Sequence, residues 1–137
     1  HSDLRRQRQM CIRDSSVGVN ERDYGPYLNW LHRSDSTLTF PQTLVLRYSQ
    51  LEPKKRRHTQ VVQDYSQWFF SRLRSLESVV RKREFLCADR FTIADISVGF
   101  ALLFAETLGL RAGFKEHTEA YYVRLKTRPA FIKACSL

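Results

Sequence analysis

The sequence predicts an all-α domain, a bundle of helices around one buried central helix. Three observations predict it. Only five Gly and four Pro punctuate 137 residues, and an all-β domain of this length needs many more turn residues. Apolar side chains recur at three- and four-residue steps from Val62 to Val80, the spacing of one helix face. The segment from Ile93 to Leu108 is apolar nearly all round, which suits a helix in the middle of a bundle.

The length allows one domain with a proper core and is too short for two comfortable ones. An apolar share of 42% is ordinary for a globular protein. Cys11, Cys87 and Cys135 are odd in number and widely spaced, with no CxxC pair and no Cys/His cluster. That argues against structural zinc or any other metal and against a disulfide framework, and it points to a reducing, cytoplasmic setting. No apolar run reaches membrane-spanning length, so no membrane partner is expected. The net charge of +9 is localised: residues 53–84 carry nine basic and three acidic side chains. Two-thirds of the excess therefore sits on one segment, a basic helix rather than a basic protein.

Residues 1–16 carry four Arg and no apolar periodicity. They read as a disordered or non-native leader, with a native flexible arm as the other reading, and the folded domain is residues 17–137. A first helix should begin near Asn20 to Asp23, either of which can cap it, with Pro26 tolerated in the first turn. Tyr27, Leu28, Leu31 and Leu38 mark its face. Pro41 disfavours helix at Phe40, which predicts a bend or break over 38–42 before helix resumes at Thr43 and stops ahead of Pro53.

The second helix is expected from about Lys55 to Arg83. Its stripe is Val62, Tyr65, Phe69, Leu73, Leu76 and Val80, widened by Val61, Trp68 and Val79. The third carries the strongest local signal. Thr92 can be its N-cap and Asp95 the N3 residue that answers, while Phe91 at N′ and Ile96 at N4 are spaced as a hydrophobic staple. Gly109 is placed to end it. A helix over Glu116–Lys126 and a last short one opened by Pro129 complete the chain.

Asp95 tempts as a catalytic carboxylate, but its spacing from Thr92 explains it as a cap. Trp30, Trp68, Phe69, Phe100 and Phe104 read as core. His32, His58 and His117 are scattered, and none is visibly paired with a Ser or Cys nucleophile. Cys87 reads as a small buried hydrophobe. The run Lys54–Arg57 stands at the start of the expected second helix, where its charge opposes the helix dipole. A solvated surface, a compensating phosphate or other anion, and a nuclear or nucleic-acid signal stay open. No aromatic interleaving suggests stacking on bases, so nucleic acid is not the expected partner.

At this point the residues resemble a known family. The block FLCADRFTIADISVGFALLFAETLGL is similar to the region of glutathione transferases that leads into the core helix of their C-terminal domain. YYVRLKTRPAFIKA looks like that domain's closing helices, with the Arg-Pro-Ala-Phe stretch common there. YLNWLHRSDSTL resembles its opening helix in bacterial members. The resemblance spans about Val17 to Leu137.

It implies a two-domain enzyme that joins glutathione to electrophilic substrates and works as a homodimer. A thioredoxin-like N-terminal domain holds most of the glutathione and supplies the thiol-activating residue, and residues 1–20 offer no βαβ unit to form it. The helical domain supplies the pocket for the small electrophile. Carried over by position, the substrate-binding residues are Asn29, Ser36 and Phe40, with Asp35 at the rim and no catalytic residue in this chain. Helical domains of this type are also appended to translation elongation factor subunits and aminoacyl-tRNA synthetases, so a non-catalytic interaction module is the competing expectation.

Overall fold

A computed structural model of the chain describes residues 15–136. Residues 1–14, which make up most of the expected leader, and Leu137 lie outside the described residues. Six α-helices lie wholly within the described residues, in order: α1 (Tyr24–Arg33), α2 (Phe40–Leu46), α3 (Thr59–Val80), α4 (Ile93–Thr107), α5 (Glu116–Lys126) and α6 (Pro129–Cys135). Among the described residues there is no strand, only an isolated bridge between Cys87 and Arg90. Helix α4 lies against α1 and α5, and α3 against α2 and α5. The core is all-helical around α4, as the sequence predicts. Phe69, Leu76, Val98, Leu102, Tyr121, Tyr122 and Leu125 are buried within it.

Helices α1 and α2 form one run with no break at Pro41. A wide π-helical turn over Ser34–Thr39 replaces the expected bend, and a second over Arg47–Leu51 ends the run. The Phe40 N–H reaches back five residues to the Asp35 carbonyl, so the chain has already left the α ladder where Pro41 cannot donate. Phe40 itself keeps helical angles, φ −55° and ψ −52°. Gln42, fully buried, donates to the carbonyls of Leu38 (3.0 Å) and Ala101 (2.9 Å) and so ties α2 to α4.

Two further expectations are corrected. Asp23 precedes α1 but makes no side-chain cap bond. Its carboxylate instead accepts the Ala88 N–H at 2.8 Å and pairs with Arg83 at 2.8 Å. Ala88 and Asp89 hold φ of 57° and 51°, a conformation costly for residues with a Cβ, and Asp23 fastens that turn to α1. Helix α3 opens at Thr59 rather than Lys55. Lys54–Arg56 forms a separate 3-10 turn, with Arg57 and His58 extended after it.

The ends of α4 follow local rules. Thr92 and Asp95 form a capping box, in which Asp95 Oδ2 accepts the Thr92 N–H at 2.8 Å and the Thr92 hydroxyl at 3.2 Å. Oδ1 accepts the Leu86 N–H at 3.1 Å and the Tyr121 hydroxyl at 2.8 Å. At the other end the Leu110 N–H bonds to the Ala105 carbonyl and the Gly109 N–H to that of Glu106. This Schellman closure needs the positive φ of Gly109, +75°.

Helix α5 borrows its cap from α3. The Glu77 carboxylate accepts the N–H groups of His117 (3.3 Å) and Thr118 (2.8 Å) and the Thr118 hydroxyl (2.8 Å). Glu106 gathers the Tyr122 hydroxyl, the Lys126 ammonium and the Arg111 guanidinium. The Tyr122 hydrogen bond leads in holding Glu106 down at about 2. Glu21 is held down to about 2 as well, chiefly by its hydrogen bonds from Arg90.

Replacing Asp95 by Ala leaves the Leu86 and Thr92 amides and the Tyr121 hydroxyl without their acceptor. Orphaned buried donors cost about 1–3 kcal/mol each, so D95A should lose at least about 3 kcal/mol in urea unfolding, while D95N, which keeps one acceptor oxygen, loses less. An Ala variant as stable as the parent would rule out this role.

The carboxylates also set an acid limit. Glu106 and Glu21 have folded pKa values below the ordinary 4.5, so their stabilisation is complete above about 4.5 and is lost as pH falls towards 2. Burial raises Asp95, so its contribution runs the other way, fading as pH rises through its folded value. Melting temperature should therefore fall between about pH 4.5 and 2, and E106Q should flatten that fall.

Candidate functional site

Helix α4 is not wrapped on every side. Its inner face is small and closed, with Ala94, Val98, Gly99, Ala101, Leu102 and Ala105 buried. A Cβ on Gly99 would stand 3.1 Å from Leu125 Cδ1, so α5 approaches closely there. The opposite stripe, Ile96, Phe100 and Leu103, follows a four- then three-residue step and turns outward. Ile96 is 53% exposed and Phe100 58%. This corrects the expectation that α4 is buried all round and that Phe100 is core. Trp68 is also exposed, against the same expectation, whereas Trp30 and Phe69 are buried.

The outward stripe forms one wall of a groove of about 410 Å³, closed by Phe91, Leu125 and residues of α6 including Phe131. The break at Arg128–Pro129 starts α6 with Arg128 extended, φ −70° and ψ 133°. The Arg128 guanidinium lies 3.7 Å from the centroid of the Phe91 ring and is the cation among the lining side chains. Phe91 meets Phe85 edge-on at 5.9 Å. The groove is thus an apolar trough with one guanidinium at its edge and the buried Asp95 carboxylate at its floor, the kind of exposed patch that marks an interaction site.

The residues carried over from the resemblance lie elsewhere. Asn29 is exposed on α1, Ser36 is exposed on the first π turn, and Phe40 opens α2. The Ser36 hydroxyl donates to the His32 carbonyl at 2.9 Å. Phe40 stands edge-on to Trp68, with centroids 6.3 Å apart, and Trp68 stacks beside Tyr65 at 5.4 Å. None of the three lines the groove. Phe91 and Ile96, the expected staple, both do, and the fully buried Asp95 reaches its floor, while Thr92 sits buried behind them. The sequence reading missed Arg128 and Phe131 as surface-forming residues. The available signal was the Arg-Pro break, which turns the chain back over the start of α4.

No described cysteine or tyrosine with a shifted pKa is an activated nucleophile. Burial raises the Cys87 thiol to about 11 and pushes the Tyr121 and Tyr122 hydroxyls upward. Among the described residues no cluster of three or more His, Cys, Asp or Glu could hold a metal ion. No described helix is long and apolar enough to cross a membrane.

Comparison with known proteins supplies the frame for this surface. No curated protein matches the chain by sequence. Solved structures match its fold. The glutathione transferase URE2P5 from Phanerochaete chrysosporium is 24% identical with a TM-score of 0.80, over 95% of this chain and 60% of that one. Ure2p5 cocrystallized with 1-(S-glutathionyl)-2,4-dinitrobenzene matches at 23% identity and 0.80, over 97% and 64%. Gtt2 from Saccharomyces cerevisiae matches at 21% and 0.70, over 87% and 60%. The chain therefore spans less than two thirds of the length of each. The family model described as glutathione S-transferase, C-terminal domain, matches residues 43–129, well over half of the sequence, and the chain belongs to that family.

Proposed function

We propose that this chain is the substrate-binding, helical half of a glutathione transferase that conjugates glutathione to small electrophiles, and that it conjugates nothing alone. The observation that carries this reading is the apolar groove between α4 and α6. The exposed Ile96 and Phe100 make this an apolar face that needs a cover, and such a face is the natural seat of a second domain. The chain spans 60% of URE2P5, which leaves room in such a protein for that domain. In this reading it is the thioredoxin-like, glutathione-holding domain, and the complete protein is a cytoplasmic homodimer.

Glutathione itself does not fit the groove. It carries two carboxylates and an ammonium, and the trough offers apolar side chains, the single guanidinium of Arg128 and a buried Asp95 carboxylate whose oxygens are already hydrogen-bonded within the core. The chain's own residues therefore supply shape, with the thiol held by the covering domain. Phe40, buttressed by Trp68, gives the electrophile an apolar edge, and Asn29 and Ser36 give polar contacts on the same run of helix. Such a wall accelerates reaction by holding the electrophile in line with a thiolate, which is an entropic contribution.

The exposed basic turn at Lys54–Arg57 is the observation that favours the competing reading, an adaptor of the kind appended to translation factors and synthetases. A hybrid protein separates the two. Joined to the part of the URE2P5 chain that this chain does not span, it should turn over 1-chloro-2,4-dinitrobenzene, while the chain alone stays at the uncatalysed rate. Phe40→Ala in the hybrid should raise KM by about tenfold, the scale of one lost apolar contact. A folded, dimeric hybrid that is inactive would sink the transferase reading, as would turnover by the chain alone.

The groove makes a second prediction, for the isolated chain. Phe100→Ser should change stability by no more than about 0.5 kcal/mol, as exposed positions do, and should reduce binding of an apolar fluorescent dye. Leu102→Ala, two residues away in the core, should cost about 2–5 kcal/mol. Equal losses in denaturant titrations would mean that Phe100 is packed.

A further inference from the structure

The run Lys54–Arg57 takes no part in the groove or in the Phe40 cluster. Every residue from Pro53 to Gln60 is exposed. The chain passes from the 3-10 turn into extended backbone at Arg57 (φ −66°, ψ 143°) and His58 (φ −138°, ψ 97°), and α3 begins at Thr59. The order Arg56-Arg57-His58-Thr59 sets two guanidinium groups three and two residues before an exposed hydroxyl. The Thr59 hydroxyl takes part in no hydrogen bond among the described residues.

We propose that Thr59 is a phosphorylation site for an arginine-directed serine/threonine kinase, one whose peptide groove offers carboxylates to the arginines ahead of the acceptor. In that step the Thr59 Oγ1 attacks the γ-phosphorus of a nucleoside triphosphate. The bond from that phosphorus to the β–γ bridging oxygen breaks, nucleoside diphosphate leaves, and the hydroxyl proton passes to the kinase's base.

Three features make the segment available. Its backbone is already extended before the acceptor, so little has to unfold for it to lie in a peptide groove. The first turn of α3 is weakly held: it has no acidic residue, and its cap is a 3.4 Å contact from the Val61 N–H to His58 Nδ1, at the edge of hydrogen-bond range. The arginines are held only by exchangeable contacts. Arg56 pairs with Glu52 at 3.2 Å, and Arg57 donates to the carbonyls of Glu52 (3.1 Å) and Gln50 (3.0 Å). Glu52 is buried but also pairs with Arg47 at 2.8 Å, so the largely exposed Arg56 guanidinium can turn to a kinase carboxylate without leaving Glu52 unpaired.

The product also suits its surroundings. Phosphate adds roughly −1.5 to −2 charge at pH 7 on the first residue of a 22-residue helix, where negative charge complements the dipole. Lys54 and Lys55, which form no ion pair among the described residues, stand close by in sequence to receive it. Ser75 supplies an internal contrast. Arg72 and Arg74 precede it, but it lies in the middle of α3, accepts from Arg33 at 2.6 Å and donates to the Arg72 carbonyl at 2.9 Å. A kinase could reach it only by unwinding α3.

The test is phosphorylation of the folded chain by such a kinase with ATP, read by intact mass and by fragment sequencing. One phosphate per chain is expected, on Thr59. Thr59→Val should abolish it, and the pair Arg56→Ala and Arg57→Ala should slow it by about tenfold or more, as loss of two charge-assisted contacts implies. Arg57→Lys, which keeps the charge and the exposed turn, should slow it as well. The proposal is overturned if the folded chain takes up no phosphate, if uptake survives Thr59→Val or falls on Ser75, or if the arginine replacements leave the rate unchanged. None of this depends on transferase activity.

Discussion

Asp95 is the constraint from which the rest of the fold follows. A carboxylate with no solvent exposure is unfavourable unless its lone pairs are met, and here four donors from three parts of the chain meet them. Thr92 gives an amide and a hydroxyl at the start of α4, Leu86 gives an amide from the connection after α3, and Tyr121 gives a hydroxyl from α5. Burial raises the pKa of Asp95 and the hydrogen bonds oppose that rise. Burial likewise raises Tyr121, and the neighbouring carboxylate adds to it, so the tyrosine stays a donor. The capping box is therefore more than a helix start, since the same side chain ties the connection after α3 and the helix α5 to the start of α4.

Once that junction is set, the exposed surface is set with it. Fixing Thr92 and Asp95 inward turns Ile96, one position on, outward. The close approach of Leu125 to Gly99 keeps α5 on the inner side of α4. The chain then leaves α5 and turns at Arg128–Pro129, which lays the guanidinium on Phe91. That contact is worth about 0.5–1 kcal/mol at an exposed site, and it places one positive charge beside a wall of apolar side chains. The clamp that closes the core thus also builds the groove.

What could be read from the sequence depended on how local its cause was. The capping box, the Gly109 closure, the limits of α5 and the Pro129 start depend on residues within a turn of one another, and the structure has them where the sequence predicts. The face of α4 did not show. Ile96 and Leu102 are both apolar, and only the position of α5 decides which one is covered. Asp23 has the residue type of a cap, but the left-handed turn at Ala88 and Asp89, some 65 residues later, takes its carboxylate. Pro41 signals a break, yet a π turn absorbs the missing donor without ending the helix. The aromatic pair Phe40 and Trp68 joins helices whose relative placement no local pattern encodes, so Trp68 reads as core and lies at the surface.

The start of α3 shows how a small shift of boundary changes a physical conclusion. Had the helix begun at Lys55, the four charges of Lys54–Arg57 would have stood on its positive end as an unexplained cost. With the helix opening at Thr59, Arg56 closes the preceding 3-10 turn and Arg57 follows in extended chain, and both reach back to Glu52 and the carbonyls around it, which neutralises or solvates them without any ligand. The residual imbalance is then modest and local: two lysines beside a first helical turn that lacks an acid. An arrangement of that kind is stable as it stands and becomes more stable when a negative charge arrives. Electrostatic imbalance of this sort at a helix start can therefore be held in reserve for a charge that is added after folding.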